Sequence, residues 1–472
     1  MYTNVWYVAG FSKDLTDAPI KVTMLGADFV LFRDAEGQAM CISNVCPHRG
    51  ASLAQGTLLK DGSLACPFHG WQFNGGGTCT LIPSRRDHEV DVVAPGARTD
   101  AYATVEKYGL IWVCVGDDPD AAAPIPDIPE WGDDSFRFAA HEEVWDANYH
   151  HAKFTNLDYV HLAVVHGITF QGQDNPIQAP EHRVTTHEHG FRSIMQTNPR
   201  PSEGVWSKLR EEGAKVESIM KFWVAGMTLR GQVEIGGVGS GRFNMFYEFS
   251  TPIDDRTTMM RHYFIRNYKM EEDFDTEHTR RNLQNIHQDK AIAEAQRPKI
   301  APAGPDPRGL YTHDEDKIML AYWGLMADMR NKGWQIDRGK LAVAERDTFL
   351  RVIPSPARRT NPDGWVYAAM PRIPARASAA RPAAEIGFVD ITRVQPTRAP
   401  DYGLSAPVVP HHPKSNATLE WEAGALKMIE QAPSFVQPMI IENAEKAAKE
   451  QGHNLVTVEL VKALQAQQAV GG

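Results

Sequence analysis

Cys46-Pro47-His48-Arg49-Gly50 and Cys66-Pro67-Phe68-His69-Gly70-Trp71 decide how the rest of this chain is read. Seventeen residues separate His48 from Cys66, so the pattern is C-x-H followed by C-x-x-H. Each segment brings one thiol and one imidazole. Two sulfur and two nitrogen donors make a complete metal-ligand set. Pro47, Pro67, Gly50 and Gly70 suit tight loops whose backbone amides point at sulfur. A Cys2His2 zinc site is chemically open. Zinc fingers, however, place both histidines on one helix, whereas here each loop holds one residue of each kind.

Outward from the loops, residues 1–120 read as short strands. Val5–Val8, Lys21–Met24, Phe29–Phe32 and Leu110–Val115 are β-branched or aromatic runs, and Asp61-Gly62 and Gly75-Gly76-Gly77 supply turns. This predicts a small all-β domain. The five cysteines (Cys41, Cys46, Cys66, Cys79, Cys114) all fall in the first quarter. An odd, clustered set suits a local metal site better than a disulfide framework. Cys41, Cys79 and Cys114 read as buried small residues.

Asp117–Pro129 is acidic and Pro-rich and reads as a linker. Residues 130–370 alternate like antiparallel strands at Leu229–Ile235, Phe243–Phe249 and Met259–Ile265. Helical patterns follow at Glu277–Gln296 and His313–Lys332. Strands framed by helices predict an α+β domain. Eight of the chain's 31 prolines lie between Pro371 and Pro413, so 371–417 is expected to be an extended connector. Residues 418–468 turn helical, with Phe435, Met439 and Ile440 at helix spacing.

The chain has 472 residues, 42% of them hydrophobic, and a formal charge of 49 − 59 = −10. Ample apolar content excludes a disordered chain. The acidic balance argues against nucleic acid as partner. No apolar run approaches the roughly 18 residues of a membrane helix. No signal-peptide pattern opens the sequence, so the expected compartment is the cytoplasm.

The ligand set resembles that of a Rieske [2Fe–2S] centre, with Cys46 and Cys66 on one iron and His48 and His69 on the other. High-potential Rieske proteins carry an extra cysteine in each loop. Here Arg49 and Phe68 occupy those neighbourhoods, so the resemblance is to the low-potential, oxygenase or ferredoxin type. A Rieske ferredoxin needs only about 110 residues, which leaves some 350 to be explained.

Asn156-Leu157-Asp158-Tyr159-Val160-His161-Leu162-Ala163-Val164-Val165-His166 is similar to the iron motif of Rieske non-haem iron oxygenases. Two histidines and a carboxylate on one face of Fe(II) leave positions open for oxygen and substrate. Asp158 and His161, at i and i+3, share a helix face. His161 and His166 are about 140° apart on an ideal helix. Either a π-bulge intervenes or the helix ends before His166, with which Gly167 is consistent.

The resemblance assigns the third ligand to Asp289, in His287–Gln296, ahead of Glu294 and Asp316. It makes Asp158 a bridge rather than a ligand. In a head-to-tail trimer, or a trimer-based hexamer, Asp158 would link His161 to a cluster histidine of the next subunit, His69 before His48. His150 and His151 are possible substitute ligands. His182, His187 and His189 read as solvated, and His411 and His412 as incidental.

The family implied is the α subunit of Rieske ring-hydroxylating oxygenases, in the clade of phthalate dioxygenase-like and pheophorbide a oxygenase-like members. The expected architecture is α+β: a Rieske domain, then a helix-grip-like antiparallel sheet with helices, then the short helical module. The expected function is a terminal oxygenase component. A separate NAD(P)H reductase, with or without a ferredoxin, supplies electrons, since no Gly-rich dinucleotide fingerprint is present. Oxygen would be inserted into an aromatic or polycyclic substrate by dioxygenation, monooxygenation or O-demethylation. The pocket is expected from Met220–Val233 and Met245–Phe249. The alternative is an electron carrier with an inactive second domain.

The tail resembles a module of light-independent protochlorophyllide reductase subunits at Trp421, Pro433, Phe435, Glu442, Ala447 and Gly452. A generic packing appendage is the favoured reading. No cysteine follows Cys114, unlike in the plant pheophorbide enzyme, which argues against a tetrapyrrole substrate.

Overall fold

The computed structural model describes residues 1–84, 97–166, 182–197, 215–302, 304, 312, 314–337, 339, 353, 355–360, 419–422, 424–425, 427, 437–450 and 452–462. The Pro-rich connector, Gly167, His411, His412, Pro433 and Phe435 lie outside them. The chain forms two units, Met1–Arg376 and Ala377–Gly472.

The first unit opens with β1 (Val5–Phe11), β2 (Ile20–Met24), β3 (Ala27–Arg33) and β4 (Ala39–Ser43). Four short strands follow: β5 (Thr57–Leu58), β6 (Leu64–Ala65), β7 (Gln72–Phe73) and β8 (Cys79–Leu81). Then come β9 (Ala101–Tyr102), β10 (Thr104–Lys107) and β11 (Leu110–Val115). They form three small sheets, ordered β2-β3-β4-β9, β5-β6-β7-β8 and β1-β11-β10. All six residues of β11 are buried, which is why it reads as a continuous apolar run rather than an alternating one. The two cysteine loops leave this scaffold between β4 and β5 and between β6 and β7.

A seven-stranded antiparallel sheet follows. Its strands are β12 (Arg137–Trp145), β13 (His182–His187), β14 (Gly190–Thr197), β15 (Val216–Trp223), β16 (Thr228–Glu234), β17 (Phe243–Pro252) and β18 (Thr258–Arg266). Their spatial order is β12-β18-β17-β16-β15-β14-β13. Two short helices, α1 (Tyr149–Asn156) and α2 (His161–Val165), lie between β12 and β13, and α3 (Phe274–Ala295) and α4 (Lys317–Asn331) follow the sheet. The predicted strands and both predicted long helices are all found. Gly231 faces Phe246 across the ladder. A Cβ at Gly231 would sit 2.2 Å from that ring, so only glycine lets the ring lie across β16.

The all-β part and the large sheet are fastened to each other. Leu25 and Gly26 donate backbone hydrogen bonds to Pro252 and Ile253 (2.8 and 2.7 Å). The buried Arg261 guanidinium donates to the carbonyls of Val8 (2.8 Å) and Ala9 (3.1 Å). Ile128, in the expected linker, is buried, so that segment packs rather than merely spans.

In the second unit the helix Gln437–Glu450 is joined by a feature absent from the all-helical expectation. Glu420–Trp421 pairs in parallel with Leu455–Val456. The indole of Trp421 donates to Glu445 Oε1 at 3.1 Å, amid Ala425, Ile441, Ala444, Ala448, Val456 and Val461. Among the described residues no helix is long and apolar enough to cross a membrane.

Candidate functional site

The two cysteine loops are the same turn made twice. Cys46 N–H donates to Ala51 O and Gly50 N–H to Cys46 O, both at 2.8 Å; Cys66 N–H donates to Trp71 O (2.8 Å) and Gly70 N–H to Cys66 O (3.0 Å). Gly50 and Gly70 take φ of +75° and +68°, the left-handed region that an L side chain resists. Backbone amides of His48 and Arg49 serve the Cys46 sulfur, and those of Phe68 and His69 serve Cys66, as the sequence predicts. The two thiols lie against each other, so that sharing one proton pushes the Cys46 thiol up and holds the Cys66 thiol below its usual range. The rings of His48 and His69 are 4.6 Å apart, and His48 stacks on Trp71 at 4.6 Å and 6°. In each histidine Nδ1 is buried without a hydrogen-bond partner. Two orphaned ring nitrogens beside two juxtaposed thiols fit a bridging metal cluster.

Cys41, Cys79 and Cys114 are buried as expected. Burial pushes the thiols of Cys79 and Cys114 up to about 11 and about 12.

The second donor set converges from α2 and α3. The helix α2 ends at Val165, so of the two geometries open in the sequence the helix end holds and no π-bulge is needed. His166 Nε2 then lies 3.0 Å, and His161 Nε2 3.4 Å, from Asp289 Oδ1. A first-row divalent ion sits roughly 2.0–2.2 Å from imidazole nitrogen or carboxylate oxygen. Neighbouring ligands around an octahedron are then about 3 Å apart, which these separations match. Both His161 nitrogens and Asp289 Oδ1 are buried without a hydrogen bond. Burial pushes the Asp289 carboxyl up, but the two imidazoles beside it hold it below the usual carboxylate range.

Gln288 is a site residue the sequence reading missed. His166 Nδ1 lies 2.7 Å from Gln288 Oε1. With Nδ1 as donor, the Nε2 lone pair is left for a metal. Gln288→Ala is expected to weaken iron binding roughly 10- to 100-fold, measured by anaerobic dialysis, with the visible spectrum of the cluster unchanged.

Asp158 sits at the entry to α2. Its Oδ1 accepts from Val160 N–H at 2.7 Å and its Oδ2 from His161 N–H at 3.3 Å. Oδ2 is also 3.8 Å from His161 Nδ1, and the side chain is 35% exposed.

A cavity of about 120 Å³ opens beside the triad, lined in part by His161, His166 and Asp289 themselves. Leu162, Met220, Val233 and Phe246 give it apolar walls, and Asn244, Asn282 and Asn285 supply amides. From Met220–Val233 the structure brings in Met220, Gly231, Gln232 and Val233, but from Met245–Phe249 only Phe246. Met245, Tyr247 and Phe249 pack into the core shared with β1 and β11.

His150 and His151 have structural partners. His150 Nδ1 meets the Tyr322 hydroxyl and His151 Nε2 the Pro298 carbonyl, each at 2.7 Å, so neither is a substitute ligand here. His182 is not simply solvated: its Nε2 is buried, and its ring packs edge-on against Tyr159 at 5.5 Å. His187 is exposed. Glu294 accepts from Asp146 N–H at 3.0 Å. Neither Glu294 nor Asp316 joins the donor group.

Beneath α1 lies a buried ion pair that sequence alone did not disclose. Lys153 Nζ donates to Glu248 Oε1 at 2.5 Å with both side chains fully buried. Asn156 donates to Glu248 Oε2, while Thr155 Oγ1 donates to the His151 carbonyl. Lys153→Met strands the Glu248 carboxylate, and a loss of about 3–5 kcal/mol in chemical denaturation is expected. A Lys153→Met/Glu248→Leu pair should recover most of it.

Comparison with known proteins gives three family matches. Residues 5–102 match the Rieske [2Fe-2S] domain, and residues 145–330 match the vanillate O-demethylase oxygenase C-terminal domain. Residues 421–465 match the proto-chlorophyllide reductase 57 kD subunit. Aminopyrrolnitrin oxygenase PrnD of Pseudomonas fluorescens is 39% identical over 26% of this chain and 34% of its own. Chlorophyllide a oxygenase of Chlamydomonas reinhardtii is 35% identical over 35% of this chain and 25% of its own. The chain thus spans about a third and a quarter of these two relatives. The crystal structure of dicamba monooxygenase bound to dicamba superposes with a TM-score of 0.58 at 22% identity. That likeness covers 70% of this chain and 98% of the other, and it shows a shared fold.

Proposed function

We propose, for a chain that is a Rieske-type oxygenase by its two matched domains, the role of terminal oxygenase component acting on an aromatic or polycyclic substrate. The carrying observation is that the Cys46–His48–Cys66–His69 loops and the His161–His166–Asp289 triad occur on one chain, the triad opening into a mainly apolar cavity. When bound, a [2Fe–2S] cluster supplies single electrons and a ferrous ion supplies open coordination positions for dioxygen.

The chain's own residues do the rest. Cys46, Cys66, His48 and His69 hold the cluster; His161, His166 and Asp289 hold the mononuclear iron. Gln288 fixes the His166 tautomer. The apolar walls exclude water and seat the substrate beside the triad, while the asparagine amides orient it. Electrons come from a separate reductase, with or without a ferredoxin. In a homotrimer or trimer-based hexamer, Asp158, half-exposed beside His161, links the iron site to the next subunit's cluster.

The test is metal content together with product. Three irons per chain, and oxygenated product from a panel of methoxyarenes, aromatic acids and polycyclics with a reconstituted reductase, are expected. Two irons per chain and no product would favour the electron-carrier alternative. A tetrapyrrole substrate is a second reading, favoured by the match at residues 421–465 and the similarity to chlorophyllide a oxygenase. A chlorophyllide therefore belongs in the panel.

A further inference from the structure

The outer side of α3 gathers a donor set of its own. His141 and Glu143 are at i and i+2 on the edge strand β12, so their side chains leave the same face. His287 reaches them from α3. Glu143 Oε1 is 3.6 Å from His141 Nε2 and 3.4 Å from His287 Nε2, and all three donor atoms lie within 4.8 Å of one another. Four ligands at roughly 2.0–2.1 Å around a tetrahedral ion are about 3.3 Å apart, close to the two measured edges. His141 Nε2 and Glu143 Oε1 are buried and have no hydrogen-bond partner. Such orphaned atoms call for a ligand.

We propose that His141, Glu143 and His287 form a second transition-metal site, suited to Zn²⁺, distinct from the His161–His166–Asp289 triad. Two imidazoles and one carboxylate are a zinc donor set, with water as the fourth ligand. His287 is 54% exposed, which leaves that position open to solvent. Lys290 Nζ occupies the other carboxylate oxygen, Oε2, at 2.7 Å, so Glu143 binds through Oε1 alone. The lysine charge opposes a cation and keeps the affinity moderate. His287 and Asp289 are two residues apart, about 200° around the helix, so the two sites use opposite sides of α3. A bound ion would clamp α3 to β12, one residue from Gln288. The site stands whether or not the oxygenase reading holds.

The experiment is equilibrium dialysis of the iron-loaded full chain against micromolar Zn²⁺, with zinc and iron counted separately and a zinc K-edge absorption spectrum recorded. One zinc per chain, in a nitrogen and oxygen shell with two imidazoles and with the iron count unchanged, is expected. His141→Ala and His287→Ala should each weaken zinc binding more than roughly tenfold, with far-ultraviolet dichroism and the visible cluster spectrum unaltered. Three results overturn the site. They are no zinc taken up, zinc retained by the His141→Ala/His287→Ala pair, or zinc gained only as iron is lost.

Discussion

Asp289→Asn is expected to lower the iron count from three per chain to two, and oxygenated product to below detection, while leaving the visible spectrum of the cluster intact. The change is nearly isosteric, so α3 keeps its packing. What it removes is the anion that faces both imidazoles at 3.0 and 3.4 Å. A neutral amide oxygen is a far poorer ligand for a divalent ion than a carboxylate. Weakening by more than roughly 100-fold is expected, because changes merely one step removed from a metal cost 10- to 100-fold. His161→Ala should behave alike, which makes the outcome a property of the triad rather than of one side chain. If either variant keeps three irons, the ligand assignment is wrong. If both lose an iron but oxygenate normally, the proposed chemistry is wrong.

Asp158→Asn should give the opposite pattern: all metal kept, coupling lost. The asparagine oxygen still accepts from Val160 N–H, where Asp158 Oδ1 now lies at 2.7 Å. That local hydrogen bond at the entry to α2 therefore survives. The negative charge 3.8 Å from His161 Nδ1 does not. A fall of about 100-fold in coupled turnover, or about 2.7 kcal/mol, is expected. Rapid-mixing oxidation of the reduced cluster should slow to the same degree. Three irons with normal turnover would remove Asp158 from the route between the centres.

The difference between what was legible and what was not has a physical basis in particular residues. The cysteine loops were readable because ligands and their glycines sit within a few residues of each other, so a local turn does all the work. His161 and His166 were readable as a pair for the same reason, although their convergence depended on where α2 stops. Asp289 was reached only by resemblance. The buried stripe of α3 consists of His278, Asn282, Ile286, Asp289 and Ala293, three of which are polar. The helical pattern places the helix but cannot single out Asp289 on it, because the inward face serves a site and not a core. Gln288 and the Lys153–Glu248 pair were invisible because each partner lies on a different element; Lys153 and Glu248 are 95 residues apart. The parallel strand pair of the tail escaped for want of length: two residues per strand leave no period to read.

The inward stripe of α3 also bears on how substrate choice can drift. Asn285 and Ile286 border the cavity about one turn before the Asp289 carboxylate, on the same rigid rod. Replacing either alters the shape presented to a guest molecule without shifting the anchor downstream. Successive generations, natural or in the laboratory, can therefore explore new guests here while the metal grip is inherited unchanged.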